Sequence, residues 1–227
     1  MVIAGVDEAG RGAVFGDLVI AGVSVESNSI KRLEGLKLKD SKMLTPGQRE
    51  TLSKKIEKIA KDIIIIKVGA CKIDTYRKQG VDLNKLEAMK FAEIISYLNP
   101  SFCYVDCPDT VPSRLEKYLK TMTKNSGSFF VEHKADENYP IVSAASIIAK
   151  VTRDAEVKKI CKKHCLGNIG SGYPHDPLTV QWMKKWIEKN KEFPDYVRKS
   201  WVTSELMIAE KEQSKLGQWF GKLKKKN

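Results

Sequence analysis

Asp7 and Glu8 stand side by side, and Asp106 and Asp136 are two more carboxylates placed where a strand gives way to a turn or helix. Carboxylate oxygens are the hard ligands that Mg²⁺ and Mn²⁺ prefer. Just beyond the pair, Gly10-Arg11-Gly12 makes a turn whose glycines let backbone amides approach a substrate that side chains would hold off. Taken alone, the acidic pair is also what a strand ending in a solvated turn would show. Its meaning depends on whether the other two carboxylates reach the same place. Four ionised carboxylates at one edge would repel and raise each other's pKa. Divalent cations remove that cost, and two ions roughly 3.5–4 Å apart can activate a water and stabilise the leaving oxygen of a phosphodiester.

The elements that must deliver these groups follow from pattern. Val2 to Val6 runs into Asp7 as a first strand, and Leu18 to Val25, after Gly16-Asp17, predicts an antiparallel partner. Thr45-Pro46 is an N-cap followed by proline at the first helical position, and the helix should stop before a third strand at Ile63 to Val68. Asp74 to Gln79 reads as a short helical turn stopped by Gly80. Leu83 to Leu98 repeats apolar residues at helical spacing up to Pro100. Phe102 to Val105 is a strand ending on Asp106. A helix at Val111 to Met122, a strand at Ser128 to Val131, the segment His133 to Asp136 and a long helix from Ile141 to about His164 complete the set. Alternating strands and helices indicate an α/β layered fold, with helices on both faces of a mixed sheet and function gathered where strands end. Beyond Gly167 only helical segments are expected, near Leu178 to Lys189 and Ser204 to Glu212.

Composition bounds the rest. The chain has 227 residues, with 40 Lys and Arg against 28 Asp and Glu, a net charge of +12 that favours a polyanionic partner. Ten basic side chains against four acidic ones fall between residues 31 and 61. No apolar run approaches the roughly 18 residues needed to span a bilayer, and the start lacks the features of a signal peptide, so a cytoplasmic location is expected. An odd number of cysteines (Cys71, Cys103, Cys107, Cys161, Cys165) fits a reducing compartment better than a disulfide framework. Their three-residue gaps suit structural zinc poorly. His133, His164 and His175 lack partners at metal or triad spacing. The small residues 143 to 146 read as close helix-to-sheet packing, and Arg153-Asp154 as a structural ion pair or cap.

Six motifs in order carry a resemblance. Val6-Asp-Glu-Ala-Gly-Arg-Gly12, Lys39-Asp-Ser-Lys42, Tyr104-Val-Asp-Cys107, Lys134-Ala-Asp136, Val142 to Asp154 and Gly170-Ser-Gly-Tyr-Pro174 together resemble ribonuclease HII, the type 2 ribonuclease H, most closely its archaeal branch. The resemblance implies a ribonuclease H-like mixed sheet flanked by helices over residues 1–166 and a small C-terminal helical extension over 167–212. It implies cleavage of the RNA strand of RNA–DNA hybrids and at ribonucleotides embedded in duplex DNA, in ribonucleotide excision repair and RNA primer removal, leaving 3′-hydroxyl and 5′-phosphate ends. By motif, Asp7, Glu8, Asp106 and Asp136 would be catalytic ligands of two Mg²⁺ or Mn²⁺ ions. Gly10, Arg11 and Gly12 would read the 2′-hydroxyl, Tyr173 would pack on the junction nucleotide, and Ser41 and Lys42 would contact phosphate. The chemistry agrees, because the 2′-hydroxyl is what distinguishes RNA from DNA at a site.

The tail, 213–227, reads separately as a flexible clamp-binding motif with a basic end. Gln213, Leu216, Trp219 and Phe220 have the spacing by which repair proteins dock on the sliding clamp, proliferating cell nuclear antigen, when a short helical turn forms. Gly217 and Gly221 weaken the competing reading, a last helix packed on the protein itself. The expected molecule is a monomeric nuclease that binds hybrid, ribonucleotide-containing DNA and the clamp, and no membrane. The rivals are a non-catalytic nucleic-acid-binding repair module and a branched-DNA resolvase of the same fold.

Overall fold

A computed structural model describes residues 1–38 and 44–224, with side chains described as far as Gln213. Five strands form one sheet: β1 (Val2–Ala9), β2 (Leu18–Glu26), β3 (Asp62–Val68), β4 (Phe102–Asp106) and β5 (Ser128–Glu132). Their spatial order is β3-β2-β1-β4-β5. β1 pairs antiparallel with β2 and parallel with β4, so the sheet is mixed. Nine helices are described: α1 (Ile30–Glu34), α2 (Pro46–Glu57), α3 (Ala70–Lys78), α4 (Leu83–Leu98), α5 (Pro112–Thr123), α6 (Ala135–Asn138), α7 (Pro140–Lys163), α8 (Pro177–Lys189) and α9 (Val202–Lys224).

Alternation along β1 sorts its side chains between two cores. Ala4 and Val6 join Phe91, Ile94 and Ile95 of α4 on one face. Ala9, with Val19 and Ala21 of β2, packs under Ile141, Ala144 and Ala145 of α7 on the other. The start of α7 crosses so close that a Cβ on Gly5 would lie 2.4 Å from the Ile141 carbonyl oxygen. The small residues of 143 to 146, all buried, therefore do serve close packing, as the sequence suggested, although the Ser143 hydroxyl also donates to the Asp136 carbonyl and Ser146 has a use described below.

A third core joins the extension to the sheet domain. Val14 and Phe15, from the loop after β1, are buried among Ile169, Met183, Ile187, Phe193, Val197 and Met207. One isolated antiparallel bridge, Phe15 to Val197, is the extension's only β-contact among the described residues. β1 runs on past Val6 through Asp7 and Glu8 to Ala9, its pairing with β2 unbroken, and two helices also run longer than expected. α3 begins at Ala70, four residues before Asp74, because extended Gly69 starts it cleanly and Ala70 and Ile73 are buried. α9 continues past Glu212 through Gly217 and Gly221 to Lys224. Isolated glycines cost a helix only about 1 kcal/mol each, which the surrounding Lys, Gln and Leu offset. Among the described residues no helix is long and apolar enough to cross a membrane.

Candidate active site

Parallel pairing aligns Val6 with Val105, so the next residues, Asp7 within β1 and Asp106 at the end of β4, come side by side. Asp7 points toward α7 and is 4% exposed. Burial pushes its carboxyl up to about 7, with the charge of Asp106 adding and a hydrogen bond from Ser146 opposing. Ser146 in turn accepts from the Lys150 ammonium at 2.8 Å, so a cation acts on Asp7 through one hydroxyl. Glu8 leaves the opposite face of the strand. Burial raises its pKa well above the usual range, and Asp7, Glu87 and Asp106 raise it further. Asp106 accepts from the Ala135 amide at 2.8 Å, which fixes it against the start of α6, where Asp136 is the next residue.

Asp7, Glu8 and Asp106 thus form one repelling set with Asp136 beside it. Among the described residues no three His, Cys, Asp or Glu side chains are drawn together as a ready-made metal cage. The donor set nonetheless suits a hard divalent cation, being all carboxylate, and Glu8 Oε2 is buried with no hydrogen-bond partner.

The turn after β1 is held differently. Gly10 has φ +85°, a conformation that favours glycine. Arg11 reaches α4, where it meets the fully buried Glu87 at 2.7 Å and Asn84 at 2.5 Å, and it also donates to the Pro108 carbonyl, just after β4, at 2.9 Å. Arg198, fully buried, donates to the carbonyls of Gly10 and Arg11 at 2.7 Å each and of Gly16 at 3.3 Å. The carbonyl of Gly172 accepts from the Val14 amide at 2.9 Å, which ties this loop to the one carrying Tyr173. Arg153 holds that second loop, bonding the Ser171 carbonyl at 2.5 Å and lying 4.9 Å over the Tyr173 ring. Three chain regions far apart in sequence are thereby fixed around one end of β1.

Comparison with known proteins decides what this arrangement belongs to. The ribonuclease HII family profile matches residues 4–204. The chain belongs to the ribonuclease HII family. It is 44% identical over 206 residues to the ribonuclease HII of Pyrococcus horikoshii, covering 90% of this chain and 91% of that one. The crystal structure of ribonuclease H2 from Pyrococcus horikoshii OT3 superposes with a TM-score of 0.85 at 43% identity, over 92% of this chain and 98% of that one. The ribonuclease HII of Archaeoglobus fulgidus, solved as a PCNA:RNase HII complex, gives a TM-score of 0.82 at 42% identity over 88% and 95%. The chain is accordingly an enzyme, a ribonuclease H hydrolase, and the ribonuclease H-like α/β fold expected from the sequence is the fold observed.

Within this ribonuclease HII chain, the predicted residues fall into three groups. Asp7, Glu8, Asp106, Asp136, Gly10, Arg11, Gly12 and Tyr173 lie in the linked segments just described. Ser41 and Lys42 lie outside the described residues. Gln213 is exposed on α9, while Leu216, Trp219 and Phe220 fall where only backbone is described, within a continuous helix rather than a short turn. Sequence reasoning missed Lys150, Ser146, Glu87 and Arg198. Ser146 and Lys150 had a usable signal, since residues four apart share a helix face. Arg153 was read as half of an ion pair with Asp154, which it does approach at 3.5 Å, but Asp154 binds Arg49 more closely at 3.0 Å. The His175 ring lies 5.6 Å from that of Tyr173, tilted by 32°.

Proposed function

We propose that this chain hydrolyses the RNA strand of RNA–DNA hybrids and cuts at single ribonucleotides embedded in duplex DNA, leaving 3′-hydroxyl and 5′-phosphate ends. The observation that carries the reading is the meeting, at one end of β1, of a repelling carboxylate set with a glycine turn whose Gly10 and Arg11 carbonyls are both drawn onto Arg198. The first group suits phosphodiester chemistry and the second suits recognition of a ribose.

Asp7, Glu8, Asp106 and Asp136 would hold Mg²⁺ or Mn²⁺. When bound with substrate, two such ions would lower the pKa of an attacking water and neutralise charge at the leaving oxygen. The chain's own residues position everything else. Ser146 and Lys150 steady Asp7, and the Ala135 amide steadies Asp106. The amides of Gly10, Arg11 and Gly12 face the 2′-hydroxyl, Tyr173 packs on the junction nucleotide, and Ser41 and Lys42 contact phosphate. Water oxygen bonds to phosphorus as the bond to the 3′ oxygen breaks, and that oxygen departs as the hydroxyl. The surplus of basic residues holds the polyanionic duplex.

In this reading residues 1–166 are the catalytic domain, 167–212 the helical extension, and 213–227 a tether through which Gln213, Leu216, Trp219 and Phe220 dock the monomeric enzyme on the sliding clamp in the cytoplasm. The spacing of that motif and the PCNA complex of the Archaeoglobus fulgidus relative support the docking. The test is cleavage of a labelled duplex containing one ribonucleotide, with Mg²⁺, with Mn²⁺ and with EDTA, beside an all-DNA duplex and an all-DNA four-way junction. Metal-dependent cutting only beside the ribonucleotide is expected; cutting of the junction would point to a resolvase. Trp219→Ala/Phe220→Ala should abolish clamp binding in calorimetry while leaving cleavage of short duplexes unchanged.

A further inference from the structure

Arg198 belongs to the extension, yet its guanidinium ends at the turn after β1. It is fully buried and makes no ion pair among the described residues; its hydrogen-bond partners are three backbone carbonyls, of Gly10, Arg11 and Gly16. A buried cation satisfied by carbonyls alone is an expensive way to close a loop. A planar fork with five donors can nevertheless collect three carbonyls at once, which an ammonium on a flexible stem does less well.

The consequence lies on the other side of the peptide planes. In a trans peptide the carbonyl and the following amide point in opposite directions. Drawing the Gly10 and Arg11 carbonyls onto Arg198 therefore turns the amides of Arg11 and Gly12 away from it. Among the described residues nothing accepts a hydrogen bond from either amide. A Cβ built on Gly12 would meet no atom within 4 Å, so the outward side of the turn is open. Arg11 is half-buried and Gly12 exposed, so both amides stand open to a ligand that approaches from that side.

Arg198 is itself pinned. Its amide donates to the Val14 carbonyl at 2.8 Å and its carbonyl accepts from Ser204 at 2.8 Å. Asp74 of α3 grips the next two residues through the amides of Lys199 at 2.9 Å and Ser200 at 3.1 Å. The side chain also lies 4.8 Å from the Trp201 ring.

We infer that Arg198 is a positioning residue for ribose selectivity: it sets the direction of the Arg11 and Gly12 amides and so decides how strongly the enzyme prefers a 2′-hydroxyl to a 2′-hydrogen. The inference rests on the reading that this turn recognises the 2′-hydroxyl. It makes the extension part of the recognition site, not an accessory beside it.

The experiment uses the full chain carrying Asp106→Asn, so that substrate is bound without being cut. Affinity is measured by fluorescence anisotropy for a duplex with one ribonucleotide and for the same duplex all in DNA. With Arg198 intact the ribonucleotide duplex should bind more tightly. Adding Arg198→Met should reduce that preference about tenfold, the worth of one to two hydrogen bonds, while affinity for the all-DNA duplex stays the same. Phe193→Leu, in the buried core of the same extension, is the control. It should lower the melting temperature and leave the preference unchanged. If Arg198→Met does not fold, Arg198→Lys takes its place, with a smaller loss of preference expected. A folded Arg198 variant that keeps the full preference overturns the inference, as does a loss matched by Phe193→Leu. If the protein with Arg198 intact shows no preference, the reading of the turn fails, and the inference falls with it.

Discussion

The carboxylate edge and the turn beside it are separated by one residue, Ala9, and built on opposite electrostatic plans. At the edge, burial and then the charge of Asp106 raise the pKa of Asp7, burial and then Asp7, Glu87 and Asp106 raise that of Glu8, and Glu8 Oε2 is buried without a partner. At the turn, one buried guanidinium draws in three carbonyls, and Arg11 is clasped by Glu87, Asn84 and Pro108. The edge holds its groups against repulsion, which favours any ligand that brings positive charge. The turn is fully braced on its inner side, which presents a fixed outer side. The difference separates chemistry from recognition: one region waits for charge, and the other is already organised.

The most severe way to break this contrast is at the edge. Asp106→Asn removes one member of the repelling set while keeping the shape that accepts the Ala135 amide. Turnover on a ribonucleotide-containing duplex should fall on the order of 10³-fold, about 4 kcal/mol of transition-state stabilisation. The melting temperature should stay level or rise, because a source of repulsion has gone. Single-turnover cleavage and thermal melting of the same preparation check both halves. Wild-type turnover would remove Asp106 from the active site, and a large drop in melting temperature would mean that the edge is not under electrostatic strain.

A change at the turn should act the other way, on stability more than on chemistry. Arg11→Met leaves Glu87, which is fully buried, without its cationic partner. The expected loss is about 2–3 kcal/mol in urea denaturation, below the full cost of an orphaned buried charge because Glu87 can take up a proton. Burial already pushes that carboxyl up to about 7 even with Arg11 beside it. Arg11→Met/Glu87→Gln should recover most of the loss, so the two substitutions should be strongly non-additive. Additive losses would show that the pair does not anchor the turn.

The same contrast explains what could be read in the sequence. The carboxylates were legible because their side chains carry the chemistry and because strand patterns place them near where elements change, although β1 runs on through Asp7 and Glu8 to Ala9. Much of the scaffold was legible for a similar, local reason. Thr45 and Gln48 make the capping box that Thr45-Pro46 announced, and Leu83–Leu98 fills one face of the sheet as its spacing required. The turn was legible only as glycines around an arginine, since its function rests on backbone direction. What sets that direction comes from a side chain far along the chain, and no local pattern links Arg198 to Gly10. Asp74 was hidden likewise: inside a helix it looks like a solvated acid, and only the fold reveals that it holds Lys199 and Ser200. The extent of α9 was misjudged by giving single glycines more power to end a helix than they have.

The smallest effect belongs to the loop that carries Tyr173. Asp176 caps α8 through the Leu178 amide at 2.9 Å and binds the Ser171 amide at 2.6 Å, so one carboxylate joins helix and loop. The Ser171 hydrogen bonds are the main reason its pKa is held down, from 3.8 to about 2. A carboxyl with a depressed pKa in the folded state stabilises it fully above the ordinary value, and that contribution is lost as pH falls through the folded value. Asp176→Asn should therefore lower the urea midpoint by a constant amount from neutrality down to about pH 4, and the gap from wild type should close as pH approaches about 2. A gap that persists to the acid end would mean that the amide's altered hydrogen bonding, and not the missing charge, weakens the loop. In that case this loop, like the turn it is bonded to, is held by hydrogen-bond geometry and owes little to net charge.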